Sequence, residues 1–232
     1  MIAALLLASS TPATAIDAEV AFARDAQRIG QWTAFRKWAD RDAVVFTPQA
    51  AWAQKAFPAK DPPKAITWRP AHSFVSCDGR TAVNTGPWFG RDGRAGGYFT
   101  TVWQRSGRVW RWVYDGGGPL GGGLADRARP QTHRASCARR APGAPIIAPP
   151  PLTGRQARTT PDDSGRGQSA DKTLGWDWKV DKNGARKFRV YQWNGFRYAQ
   201  VLMNDVPVPV LRVGRRRHTP SAIAGRRAAT RW

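Results

Sequence analysis

Glutamate is nearly absent from this 232-residue chain: Glu19 is the only one, and the other acids are aspartates. Histidine and cysteine are scarce too. Two cysteines and three scattered histidines (His72, His133, His218) offer no zinc-ligand spacing, so no metal is expected. A cysteine-dense scaffold is excluded on the same count. No apolar run reaches the roughly 18 residues of a membrane span. Also missing are a P-loop, a GxGxxG after a strand, HExxH and GxSxG, so no cofactor is expected and several large enzyme classes lose their footing. The glycines at 116–118 and 121–123 flank Pro119-Leu120 without the lysine or following helix of a phosphate cradle.

Tryptophan and arginine are plentiful. Twelve tryptophans and 41% hydrophobic residues can build a real core in one or two domains. With 37 Lys+Arg against 16 Asp+Glu the net charge is +21. Such a balance suggests an anionic partner and says nothing about fold. Arginine far outnumbers lysine, as a GC-rich coding sequence would also produce. Seven arginines and no acid occupy residues 212–232 (Arg212, Arg215, Arg216, Arg217, Arg226, Arg227, Arg231). They form a tail suited to an anionic surface. Only Trp232 accompanies them, which speaks against single-stranded nucleic acid.

The first 15 residues read as a signal peptide. Ile2–Leu7 is apolar, and Ala13-Thr14-Ala15 is a small-x-small cleavage site, so the mature chain is expected to begin near Ile16 in a periplasmic or secreted setting. The basic n-region is missing, which leaves the start codon and a frayed apolar helix open as alternatives. One disulfide, Cys77–Cys137, fits an oxidising compartment, with two unpaired thiols as the other outcome.

Composition divides the rest into a domain at 16–117, a Gly/Pro/Arg-rich linker at 118–172, a small β-meander at 173–211 and the Arg-rich tail at 212–232. Asp17 is the expected N-cap of a first helix ending at Gly30, with Glu19 placed to suit the helix dipole. A second helix follows over 31–39, then a strand at 43–46 and a third helical piece at 49–57. Strands at 66–77, 80–88, 97–104 and 108–115 follow, and strands at 174–180, 185–193 and 196–203 make the meander.

The stretches AFARDAQRIGQWTAFRKWADRDAVVF, SFVSCDGRTAVNTGPW and GYFTTVWQRSGRVWRWVYDGG resemble the NTF2-like superfamily in its SnoaL-like or DUF4440-type branch. The resemblance covers about residues 20–117. It implies an α+β fold: a cone of N-terminal helices packed on a curved antiparallel sheet, holding any ligand on the concave face. Members include isomerases, cyclases, dehydratases and non-catalytic ligand-binding domains.

Strand register places the candidate pocket. A turn at Asp78-Gly79 pairs Val75 with Ala82 and Ser73 with Asn84, on one side with Trp88, and puts His72 on the other. Pairing Arg105 with Arg108 puts Trp103 against Trp110, Thr101 against Trp112 and Phe99 against Tyr114, with Tyr98 and Asp115 as a cross-strand pair. The expected lining is then Phe35, Trp38, Trp88, Trp103, Trp110, Trp112 and Tyr114, with Ser73, Asn84 and Thr101 as polar fixers. A one-residue slip would exchange the faces, and a cone filled by its own aromatics is the plain alternative.

Chemistry in that cone needs an acid or base. Asp115 beside Tyr98 is the first candidate and His72 the second; a strand-end aspartate capping its glycine turn and a histidine on the outer face are the structural alternatives. Asp25 is expected to pair with Arg28 or Arg24. The expected function is therefore small-molecule binding in an aromatic-lined cone, with an isomerase or hydro-lyase using Asp115 or His72 as the second reading and polyanion binding by the tail as the third. A homodimer is compatible with all three.

Overall fold

The computed structural model describes residues 11–119, 129–145 and 161–208. The Arg-rich tail lies outside them, as do most of the expected signal peptide and parts of the expected linker.

Two helices open the fold. α1 (Ala15–Ile29) starts at Thr14, not Asp17: the Thr14 hydroxyl accepts from the Asp17 amide at 3.1 Å, and the Asp17 carboxylate accepts from the Thr14 amide at 3.0 Å. This reciprocal cap satisfies two end donors at once. Ala15 is buried and its carbonyl accepts from Asn84 Nδ2 at 2.9 Å, so the expected cleavage point after Ala15 sits inside the helix start. Ala18, Phe22 and Ala26 form the buried face at helical spacing. Gly30, at φ +104, ends α1 and leads straight into α2 (Gln31–Trp38), which has no side-chain cap of its own. Asp61 supplies one from the proline-rich loop, accepting from the amides of Trp32 and Thr33.

Strands β1 (Ala39–Phe46), β2 (Ala50–Trp52), β3 (Thr67–Trp68), β4 (His72–Val75), β5 (Thr81–Phe89), β6 (Ala95–Ser106), β7 (Val109–Gly118) and β8 (Gln131–Arg134) form one sheet, ordered β2-β1-β7-β6-β5-β4-β8 with β3 beside β5. β1 runs parallel to β7 and β8 parallel to β4, so the sheet is mixed. A short helix, α3 (Ala53–Ala56), follows β2, where one longer helix was expected. The second sheet is antiparallel, in the order β12-β11-β10-β9, from β9 (Ser164–Gln168), β10 (Leu174–Val180), β11 (Arg186–Trp193) and β12 (Tyr198–Val206).

These observations correct the expected α+β cone. Among the described residues the fold is 47% strand and 16% helix, with three helices and two large sheets. The physical reason is visible in β5, whose first seven residues are all buried: the sheet is covered on both faces, as a solvent-facing cone wall would not be. On one side Phe22, Phe35, Trp38, Trp103 and Trp112 make a helix-to-sheet core. On the other, Phe74, Val83, Val102 and Tyr114 pack with Leu174, Trp176, Phe188 and Val190 of the second sheet. Fully burying one tryptophan removes roughly 200 Å² from water, about 5 kcal/mol as an upper bound, against at most about 1 kcal/mol for an exposed pair such as Arg94–Asp92. Aromatic burial decides this fold.

The second core joins the expected domain at 16–117 to the expected meander, and the stretch read as a linker contributes β8 to one sheet and β9 to the other. Cys77 and Cys137 are joined by a disulfide, and the Ser136 amide bonds the Trp193 carbonyl, so residues 131–137 stitch the sheets together.

Register at β4–β5 is as expected, with Ser73 opposite Asn84 and Val75 opposite Ala82. The β6–β7 register differs. Ser106 pairs with Val109, Trp103 with Trp112, and then Val102 with Tyr114, which leaves Val113 as an extra residue. Such a bulge exchanges the faces of the residues beyond it. Tyr114 therefore turns to the second sheet, and Asp115 pairs with Thr101 instead of Tyr98.

Candidate functional site

A cavity of about 510 Å³ opens between the helices, the loop after α3 and the far ends of β6 and β7. Its volume and apolar wall fit the usual character of small-molecule sites. Phe22 and Phe35 come from the helices, Phe57 and Ile66 from the loop that Asp61 anchors, and Trp68, Trp88 and Phe99 from the sheet. Trp88 lies flat over Gly96, where a Cβ would run into its ring. One end of the cavity is polar, formed by Tyr98, Thr101, Asp115, Gly116, Gly117 and Arg186. Among the described residues that line it, Asp115 is the one acid and Arg186 the one cation.

The Val113 bulge is what delivers Asp115. Thr101 Oγ1 donates to Asp115 Oδ1 over a long 3.3 Å, and the Gly116 amide also faces the carboxyl. Asp115 is half-buried and lines the cavity. Burial pushes its pKa from 3.8 up to about 7, and the charge of Glu19 pushes the same way; Thr101, Arg186 and the Gly116 amide only partly oppose them.

Glu19 lies behind the cavity wall, fully buried. It accepts from Trp103 Nε1 at 2.6 Å, Trp68 Nε1 at 2.8 Å and Asn84 Nδ2 at 3.3 Å. Burial raises its pKa from 4.5 to about 7 despite those three donors. Because Trp68 is a wall of the cavity, Glu19 orients part of the site without entering it.

Arg186 enters from the second sheet. Its Nη2 donates to the Gly117 carbonyl at 2.6 Å, and its guanidinium carbon stands 4.1 Å from the centre of the Phe46 ring. Tyr114, beside Arg186, has its phenol pushed up to about 12 by burial.

Of the residues expected to line a pocket, Phe35, Trp88 and Thr101 do so, as do the catalytic candidates Asp115 and Tyr98. Trp38, Trp103, Trp110 and Trp112 are core instead, because the helices pack directly on them. Ser73 and Asn84 are fully buried away from the cavity, and the bulge turns Tyr114 to the other face. His72 is remote: its Nδ1 stands 3.1 Å from His133 Nε2 at the β4–β8 edge. Asp25 binds Lys37 at 2.6 Å, Trp38 Nε1 at 3.0 Å and Arg28 at 3.2 Å. No group of three metal-ligating side chains occurs among the described residues.

Sequence reasoning missed Phe22, Phe57, Trp68, Phe99 and above all Arg186. The signal for Arg186 is its position in Arg186-x-Phe188-x-Val190, whose alternate residues all face inward. No protein-family model, curated protein or solved structure matches the chain.

Proposed function

We propose that this protein binds a small, largely apolar molecule in the aromatic cavity, with the polar end of the ligand directed at Asp115 and Arg186. The observation that carries this reading is the cavity itself: about 510 Å³, walled by phenylalanine and tryptophan, with a single acid and a single cation at one end. Trp68 and Trp88 line it, so tryptophan fluorescence reports occupancy directly. Titration with a small-metabolite library should yield saturable quenching with at least one compound. Ala56→Phe, which adds a ring inside the cavity, should abolish that response without lowering thermal stability. A chain that folds normally and gives no saturable response would refute the reading.

A second reading is favoured by one specific observation, the cavity-facing carboxyl of Asp115 with a pKa near 7. Such a group can take a proton from a carbon next to a carbonyl and return it elsewhere, as an isomerase or hydro-lyase requires. Asp115→Asn should keep ligand binding and remove turnover; unchanged turnover would exclude Asp115 as the base. The Cys77–Cys137 disulfide supports export to an oxidising compartment.

A further inference from the structure

Among the described residues Arg186 has no ion pair in contact; its charge is felt by Asp115 nearby, and its side chain hydrogen-bonds Tyr114. The arginine is only 6% exposed, and its Nε is buried with no hydrogen-bond partner. No carboxylate among the described residues stands within ion-pair distance of its guanidinium. Three residues along the same strand, Arg189 is treated differently: its Nε meets the buried Asp177 carboxylate at 2.8 Å. Burying a charge without an ion pair in contact is expensive, and a neutral carbonyl, the Tyr114 hydroxyl and a phenyl face compensate only part of it.

We propose that the cavity takes a monoanionic ligand, an apolar body carrying one carboxylate that completes the coordination of Arg186. This rests on the binding reading above and names the ligand class for it. Guanidinium groups suit carboxylates because the planar donor fork matches the two oxygens. Arg186 has a donor to spare, and it shares the polar end of the cavity with Asp115, which in its protonated form adds an O–H donor. A single cation beside one titrating acid suits a single negative charge; a dianionic phosphate would meet too few donors. The rest of the ligand lies against Phe22, Phe35, Phe99 and Trp68.

The test compares acids with uncharged partners of matched shape, by calorimetry and fluorescence on the full chain: octanoate with octanol, 4-phenylbutyrate with 4-phenylbutanol, and 2-naphthylacetate with 2-naphthaleneethanol. In at least one pair the acid should bind tenfold or more tightly than the alcohol. Arg186→Gln should bring that pair within twofold while leaving the alcohol's affinity in place, and Arg186→Lys should keep part of the preference. Should Arg186→Gln fail to fold, Gly116→Ala serves instead, because the added Cβ would stand 2.9 Å from the Tyr114 hydroxyl and 3.1 Å from Arg186 Nη2 and so displace both the phenol and the guanidinium it meets; it should shrink the acid preference. Alcohols binding as well as acids would overturn the anion assignment and leave the cavity reading standing. An acid preference that survives both Arg186→Gln and Gly116→Ala would also overturn it. Failure of every compound in all three pairs would overturn the cavity reading and this inference together.

Discussion

Replacing Asp115 by asparagine should stabilise the protein at alkaline pH and leave it nearly unchanged in acid. The carboxyl has a pKa of about 7 in the fold against 3.8 as the ordinary value. Below 3.8 both states are protonated and the site costs nothing. As pH rises from there, the unfolded chain releases the proton while the fold retains it, so stability falls by up to 1.36 kcal/mol per pH unit. Above about pH 7 the loss is complete, and the gap of about three pH units corresponds to roughly 4 kcal/mol, reduced by whatever water in the cavity solvates the carboxylate. The asparagine amide would keep the Thr101 contact and carry no charge, so the variant escapes this loss.

Urea unfolding from pH 4.5 to 8.5, followed by tryptophan fluorescence, measures the difference directly. Variant minus wild type should be at most about 1 kcal/mol at pH 4.5 and rise to about 2–4 kcal/mol in favour of the variant at pH 8.5. Subtraction cancels the titrations that do not touch Asp115; Glu19, whose charge acts on Asp115, contributes its coupling to the measured difference. Among the titrations that cancel, Asp25, Asp61 and Asp171 are held below their usual range; their contribution fades only as pH falls below about 3.8, outside this window. A difference independent of pH, or one that favours wild type as pH rises, would refute the burial of Asp115.

Three further outcomes follow from the same structure. Glu19→Gln should cost about 1–3 kcal/mol at pH 5, because its amide must face one of the two indole N–H donors, and near-ultraviolet circular dichroism should show Trp68 and Trp103 disturbed. An unchanged spectrum and stability would show that the three-donor cradle is not formed. Starting the chain at Ile16 in place of Pro12 should cost about 1 kcal/mol or more, since it removes the Thr14 cap and the Asn84 acceptor; equal melting temperatures would contradict the cap. Reducing Cys77–Cys137, which lie 60 residues apart, should cost up to about 4 kcal/mol in denaturant unfolding, and no change in midpoint would show that the bridge constrains little.

Much of the fold was legible because it rests on local signals. The helical spacing of α1, the glycine stop at Gly30 and the β4–β5 turn are all decided within a few residues. The second sheet was legible as strands, but its packing was not. Alternation in β10 and β11 says that one face is buried without saying against what, and the covering surface belongs to a distant part of the chain. The β6–β7 register failed for two reasons. The turn pairs Arg105 with Trp110, two residues beyond the expected Arg108, and a bulge at Val113, which leaves no mark in the regular alternation of Trp110-Arg111-Trp112-Val113-Tyr114-Asp115, then turns Tyr114 out of the pocket and sets Asp115 opposite Thr101. Two signals were present and were read as something else. Glu19, at one helical turn from Ala15 and Phe22 on the buried face, was read as a dipole partner at a helix start. Arg186, on the inward face of β11, was read only as a strand residue.

Taken together, the inward-facing charges separate what the chain completes from what it leaves incomplete. Asp177 has the Arg189 charge in contact, although its second oxygen is buried without a hydrogen bond, and Glu19 has two indoles and an amide, so each is held by the protein and serves the fold. Asp115 and Arg186 stand at one end of one cavity, the first held only by the long Thr101 bond and the Gly116 amide, the second with a buried donor left unused. Neither is needed to close a core, and both cost stability in the free protein. A charge that the fold does not complete is expected where something else completes it, and the carboxylate ligand inferred above is the smallest group that satisfies Arg186 and, by its negative charge, keeps Asp115 protonated as a donor. On this view Asp115→Asn gains stability by giving up a group retained for the ligand and not for the fold.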